Sequence, residues 1–165
     1  MILLSDLNAA SEDAFCAALE GVVERAPWAV AEAAAMRPFA DLDALHGALM
    51  ARLRMAPRDR LLAFLNAHEP LVAGPLPDSL TEASRREQGA VPLAALIEPE
   101  ALGALNAEYL ARFGFPFIIC LRRYSAPEVL QQLGLRLASD VETEFSTALD
   151  EVSAVVRFRL SDKDR

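Results

Sequence analysis

Apolar residues return at three- and four-residue steps through most of this chain, and that period selects helices. Leu42, Leu45, Leu49 and Leu53 are the clearest case. Such a spacing places all four on one face of a helix and gives it a stripe to bury. The helices are also punctuated. Ser11 stands before Glu12-Asp13, an N-cap with acidic residues at the positive end of the dipole. Pro27 suits a first turn and leads an Ala-rich segment to near Met36, and Asp41 caps the Leu42 helix. Pro57 opens another helix, through Leu61, Leu62 and Leu65 to Ala67.

Residues 69–79 hold Pro70, Gly74, Pro75 and Pro77 and read as a loop. Ser79 with Glu82 has capping-box spacing, which predicts a helix from Leu80 or Thr81. A helix from Pro99 to Phe113 should stop on Gly114. Phe115 to Leu121 is expected to be a short extended segment, and Pro116 argues against a regular central strand there. Ser125 and Glu128 form a second capping box. Asp140 should cap a last long helix that buries Phe145, Leu149, Val152 and Val156. The fold class is therefore all-α: a single-domain bundle of about eight helices over residues 1–165.

Composition narrows the function. The chain has 165 residues, 53% of them hydrophobic, enough for a sizeable core. A net charge of −8 argues against sequence-independent nucleic-acid binding, which needs clustered cations. No apolar run approaches the roughly 20 residues that span a bilayer. The N-terminal Met1-Ile2-Leu3-Leu4-Ser5-Asp6 is too short and acidic for a signal peptide, and Ser161 to Arg165 is no peroxisomal address. Cys16 and Cys120 lack metal-ligand spacing and read as reduced thiols of a cytoplasmic protein. Gly-rich phosphate loops, zinc spacings and nucleophile elbows are missing, and Lys163 is the sole lysine. Any chemistry falls to ordinary side chains.

Of the two histidines, His68 ends an apolar helical stretch and enters the Pro/Gly loop. It is either a proton-transfer group near neutral pH or a cap on the negative end of a helix. Ser84, Glu87 and Gln88 share one helix face, which either points into a pocket or is solvated beside Arg85 and Arg86. Arg157 and Arg159 complement a helix dipole or grip a carboxylate. His46 sits at the boundary of the Leu42 stripe. Trp28 and Arg37-Pro38-Phe39 read as packing and turn residues, and Asn106 and Tyr109 as helix-surface residues without an assignment.

Taken together, these segments resemble the 2-oxo-4-hydroxy-4-carboxy-5-ureidoimidazoline (OHCU) decarboxylase family. The pieces run in order: Glu24 to Trp28; Arg37-Pro38-Phe39; Ala67-His68; Ser84 with Glu87-Gln88; Leu105 to Tyr109; Arg112 to Ile119, including Phe113-Gly114-Phe115-Pro116-Phe117; Arg136-Leu137 with Glu142-Thr143-Glu144; and Arg157 to Leu160. The resemblance implies an all-helical lyase of urate breakdown that turns OHCU into (S)-allantoin and CO2 with no metal or organic cofactor, as a homodimer. It implies His68 and Glu87 as catalytic residues. Substrate binding falls to Ser84, Gln88, Arg159 and the pocket-lining Phe117, Ile118 and Ile119. A histidine in that role predicts an activity limb at about pH 6–7. The open alternatives are a relative acting on another small carboxylated ureido compound and a non-catalytic helical binding module.

Two stretches depart from the family pattern. His-Pro-(Asp/Glu)-Leu-Ala-Gly is here His68-Glu69-Pro70-Leu71-Val72-Ala73-Gly74, with proline one place late. Its restraint therefore falls on Glu69 rather than His68. Glu-Gln-Ala-Gly-x-Gly-Leu is here Glu87-Gln88-Gly89-Ala90-Val91-Pro92-Leu93, and Pro92 is expected to kink the helix that carries Glu87.

Overall fold

The computed structural model describes residues 3–164. Met1, Ile2 and Arg165, the ends of the two terminal segments read above, lie outside the described residues. Nine α-helices and two short 3-10 turns follow one another among the described residues, with no strand. They are α1 (Leu4–Ala9), α2 (Glu12–Ala18), α3 (Pro27–Ala34), α4 (Leu42–Arg54), α5 (Arg58–Asn66), α6 (Glu82–Gly89), α7 (Pro99–Phe113), α8 (Ala126–Leu137) and α9 (Val141–Asp164). The 3-10 turns are Leu93–Ala95 and Leu121–Arg123.

The capping signals explain most boundaries. The Ser11 and Asp41 side chains accept the N–H groups of Ala14 and Ala44, and Gly114 stops α7 in the left-handed conformation at φ 79°. The Ser125/Glu128 capping box is closed in both directions. Asp140 takes the N–H and the hydroxyl of Thr143 at 2.9 and 2.6 Å. These bonds hold the exposed Glu128 and Asp140 carboxyls below the usual range.

Two expectations at α6 are corrected. Its N-cap is Thr81, whose hydroxyl accepts the Ser84 N–H at 3.2 Å. The Ser79 hydroxyl instead donates to Glu69 at 2.8 Å. Nor does Pro92 kink the helix. The helix ends at Gly89, and Pro92 precedes the Leu93–Ala95 turn, where its missing N–H breaks no helical ladder.

The chain forms two compact units, one running from the N-terminus to Phe64 and taking in Ser153 onward, the other spanning Leu65–Val152. In the first, α3 packs on α2 and α4. Phe15, Val22, Leu45, Leu49 and Leu53 are fully buried there, and the α3 residues Ala29 and Ala33 leave room for close helix approach. Arg37 donates to the carbonyls of Ala34 (2.8 Å), Leu7 and Ala10, a turn-closing role. His46 donates from Nε2 to the Ser153 carbonyl at 2.9 Å, so it too is structural.

In the second unit the core is aromatic. Tyr109 is completely buried rather than on a helix surface, with ring centroids 4.6 Å from Phe113 and 5.4 Å from Phe117. Phe115 meets Phe145 edge-on at 5.9 Å. Between α7 and the Leu121–Arg123 turn runs a buried strap, residues 115–120, without a pairing strand. Buried backbone must find partners somewhere, and here charged side chains supply them.

Candidate active site

The strap meets two acid-centred networks. Arg136, on α8, is 6% exposed and Glu144, on α9, is 0% exposed. The Arg136 guanidinium donates to Glu144 Oε1 through Nε at 2.7 Å, and its Nη2 lies 2.6 Å from the same oxygen. Its Nη1 donates to the Ile118 carbonyl at 2.8 Å. Tyr109 completes the network by donating its hydroxyl to Glu144. Burial first, and this bond second, push the Tyr109 phenol well above its ordinary range. The second network centres on Glu151, also on α9. It accepts the Cys120 N–H at 2.8 Å and the Tyr124 hydroxyl at 3.0 Å, with Arg123 at 3.5 Å.

Helix α6 brings Ser84, Glu87 and Gln88 onto one half-buried face, as their spacing requires. The helix packs against the Leu121–Arg123 turn that follows the strap. Glu87 is close enough for its charge to act on Cys120. Burial chiefly, then Glu151 and Glu87, push the Cys120 thiol up to about 11 against the lowering effect of a backbone bond at Arg122. The Gln88 Oε1 is buried and has no partner among the described residues, a state it shares with Asn106 Oδ1 and Glu144 Oε2. An acceptor in that state costs about 1–3 kcal/mol, a cost a ligand N–H would remove.

His68 is half-buried just past α5, its N–H donating to the Leu65 carbonyl at 3.2 Å. The loop after it is held at three points. Glu69 takes the Ser79 hydroxyl, Arg85 donates to the Pro77 carbonyl at 3.0 Å, and Asn106 donates from Nδ2 to the Leu71 carbonyl at 2.8 Å. The late proline thus frees position 69 for a side chain that staples the loop across its base. Beside this loop, α7 and Phe117 help line a mainly apolar cavity of about 560 Å³. Neither His68 nor the α6 residues line it.

His68, Ser84, Glu87, Gln88 and the strap residues Phe117, Ile118 and Ile119 all belong to the Leu65–Val152 unit. Arg159 belongs to the first unit, where it is 8% exposed and donates to Glu24 at 2.8 Å and to the Gly21 carbonyl at 3.1 Å. Arg157 pairs with Asp43 at the surface. Residue-type reasoning missed Arg136, Glu144 and Glu151 as supports of the strap. Their signal was present: Glu144 and Glu151 are seven residues apart, two turns of helix, in line with Ala148 inside an apolar stripe.

The class these features define is an all-α protein that carries an acidic and amide-bearing helix face beside a buried, side-chain-anchored strap. A family model described as OHCU decarboxylase matches residues 8–161. The chain belongs to the OHCU decarboxylase family. It is 32% identical to the 2-oxo-4-hydroxy-4-carboxy-5-ureidoimidazoline decarboxylase of Haloferax volcanii, over 98% of this chain and 96% of that one. It is 30% identical to the enzyme of the same name from Xenopus laevis, over 96% and 93%. A crystal structure of (S)-allantoin synthase superposes with a TM-score of 0.70 at 27% identity, covering 98% of this chain. The chain spans 54% of the length of that crystallised protein. No helix among the described residues is long and apolar enough to cross a membrane.

Proposed function

We propose that the protein decarboxylates OHCU to (S)-allantoin in urate breakdown, using its own side chains. The observation that carries this reading, beyond family membership, is the α6 face. There the buried, unpartnered Gln88 oxygen stands one turn from Ser84 and beside Glu87. A ureido-imidazoline offers the N–H donors such an oxygen lacks. In the reaction the C–CO2⁻ bond breaks and its electron pair spreads onto the adjacent imidazolone. CO2 leaves and a proton takes its place. His68, with Glu87 as its acid/base partner, exchanges that proton on one face. Ser84 and Gln88 bond the substrate's polar atoms, and Phe117, Ile118 and Ile119 bound the substrate. The free thiols Cys16 and Cys120 fit the reducing cytoplasm, and the family resemblance supports a homodimer.

The test is a coupled assay in which OHCU is generated enzymatically from urate and (S)-allantoin is followed by circular dichroism. The wild-type protein should give one enantiomer faster than the spontaneous decay, and His68→Asn should return racemic product at about the background rate. A His68→Asn protein with unchanged rate and stereochemistry would remove His68 from the mechanism. Racemic product at background rate from the wild type would refute the assignment of OHCU as substrate.

A further inference from the structure

Ile119 is bracketed. The carbonyl of Ile118 before it is held by Arg136 at 2.8 Å, and the N–H of Cys120 after it is held by Glu151 at 2.8 Å. The Arg136 guanidinium also lies over the Phe117 ring, 4.4 Å from its centroid. Ile119 itself makes no backbone–backbone hydrogen bond among the described residues. A buried strap has no ladder to fix its peptide planes, so these two side chains decide how the planes on either side of Ile119 are turned. Both holders are themselves braced: Arg136 by Glu144 and, at 3.5 Å, by the Tyr109 hydroxyl, Glu151 by Tyr124 and Arg123. Apolar side chains would cover the strap at least as cheaply, because burying a charged group carries a large desolvation cost. What apolar groups lack is direction. A guanidinium fork and a carboxylate fix the orientation of the groups they bond.

We propose that Arg136 and Glu151 are positioning residues for decarboxylation. They aim the 118–120 backbone at the substrate and touch no reacting atom themselves. This rests on the reading above that the strap bounds the substrate pocket. Misplacing a substrate-facing group by about 1 Å can cost on the order of a hundredfold in rate. Removing either holder should therefore act on turnover and on the choice of face, not only on stability.

The experiment compares Glu151→Gln, Glu151→Leu and Arg136→Lys with wild type in the coupled assay, at a temperature where melting curves show each protein folded. Glu151→Gln keeps an oxygen for the Cys120 N–H and should stay within about threefold of wild-type kcat. Glu151→Leu keeps the bulk but not the acceptor. It should lose at least about tenfold in kcat with a smaller change in KM, and its allantoin should lose enantiomeric excess as spontaneous decay competes. Arg136→Lys keeps a cation beside Glu144 without the fork to Ile118, and should fall in the same way if Glu151→Leu does not fold. Folded Leu and Lys variants with wild-type kcat and enantiomeric excess overturn the proposal while leaving the decarboxylase reading intact. A wild-type protein that does not accelerate OHCU decay overturns the reading itself and, with it, this assignment.

Discussion

Tyr109→Phe removes one hydroxyl from the buried network and leaves nearly everything else in place. The ring keeps its contacts with Phe113, Phe115 and Phe117, and the change removes the hydroxyl that donates to Glu144 and accepts a long 3.5 Å bond from Arg136. A hydrogen bond to a charged acceptor contributes about 1.5–3 kcal/mol. Arg136 still covers the same carboxylate oxygen, so the loss should not exceed that range. For a protein of this size each kcal/mol moves the melting temperature by roughly 2–4 °C, which predicts a drop of about 3–12 °C. Urea titration should show a lower midpoint with an unchanged slope, because no extra surface is exposed. Alkaline pH gives a second check. The folded phenol keeps its proton above about pH 10, where the unfolded one ionises. The folded state then binds the extra proton, so wild-type stability falls as pH rises past 10. The Phe variant lacks that loss, and the gap between the two proteins should narrow in alkali. Equal stability at pH 7, or a gap constant to pH 11, would refute the role given to this hydroxyl.

Two further outcomes follow from the α6 face and the strap. Gln88→Leu should leave stability unchanged or raise it by up to about 1–3 kcal/mol, since it removes an unpartnered acceptor, while abolishing most OHCU turnover; urea titration and the coupled assay on one preparation measure both. In a Cys16→Ser background, thiolate absorbance should place Cys120 ionisation at about 11, and Glu87→Gln should lower it but not to the ordinary cysteine value, because burial is the main cause. An unmoved titration would remove Glu87 from the neighbourhood of Cys120.

Features fixed by neighbours in sequence were the readable ones. Ser11, Asp41, Gly114 and the Ser125/Glu128 pair act within three or four residues of themselves, and the structure has each in its expected place. Ser79 was misread because its hydroxyl is taken by Glu69, ten residues away, which leaves the cap to Thr81. Pro92 was misread because the helix had already ended. The α6 face followed from spacing alone, whereas the roles of its residues, and of His68 and Arg159, came from family resemblance. Glu144 and Glu151 stand out in sequence only by falling inside an apolar stripe, and nothing near Arg136 in sequence marks it as buried. Their burial depends on a strap 18 to 31 residues away that needs partners it cannot find within itself.

A strap whose peptide groups are oriented from outside has an unusual relation to mutational drift. Its apolar side chains can exchange for others of similar volume, since backbone atoms present the same surface whichever aliphatic residue carries them. The vulnerable positions are instead on α8 and α9, outside the strap, where one altered charge would turn the peptide planes it holds. Inherited variation that disables such a protein should therefore gather at Arg136, Glu144 and Glu151, and pass lightly over Ile118 and Ile119.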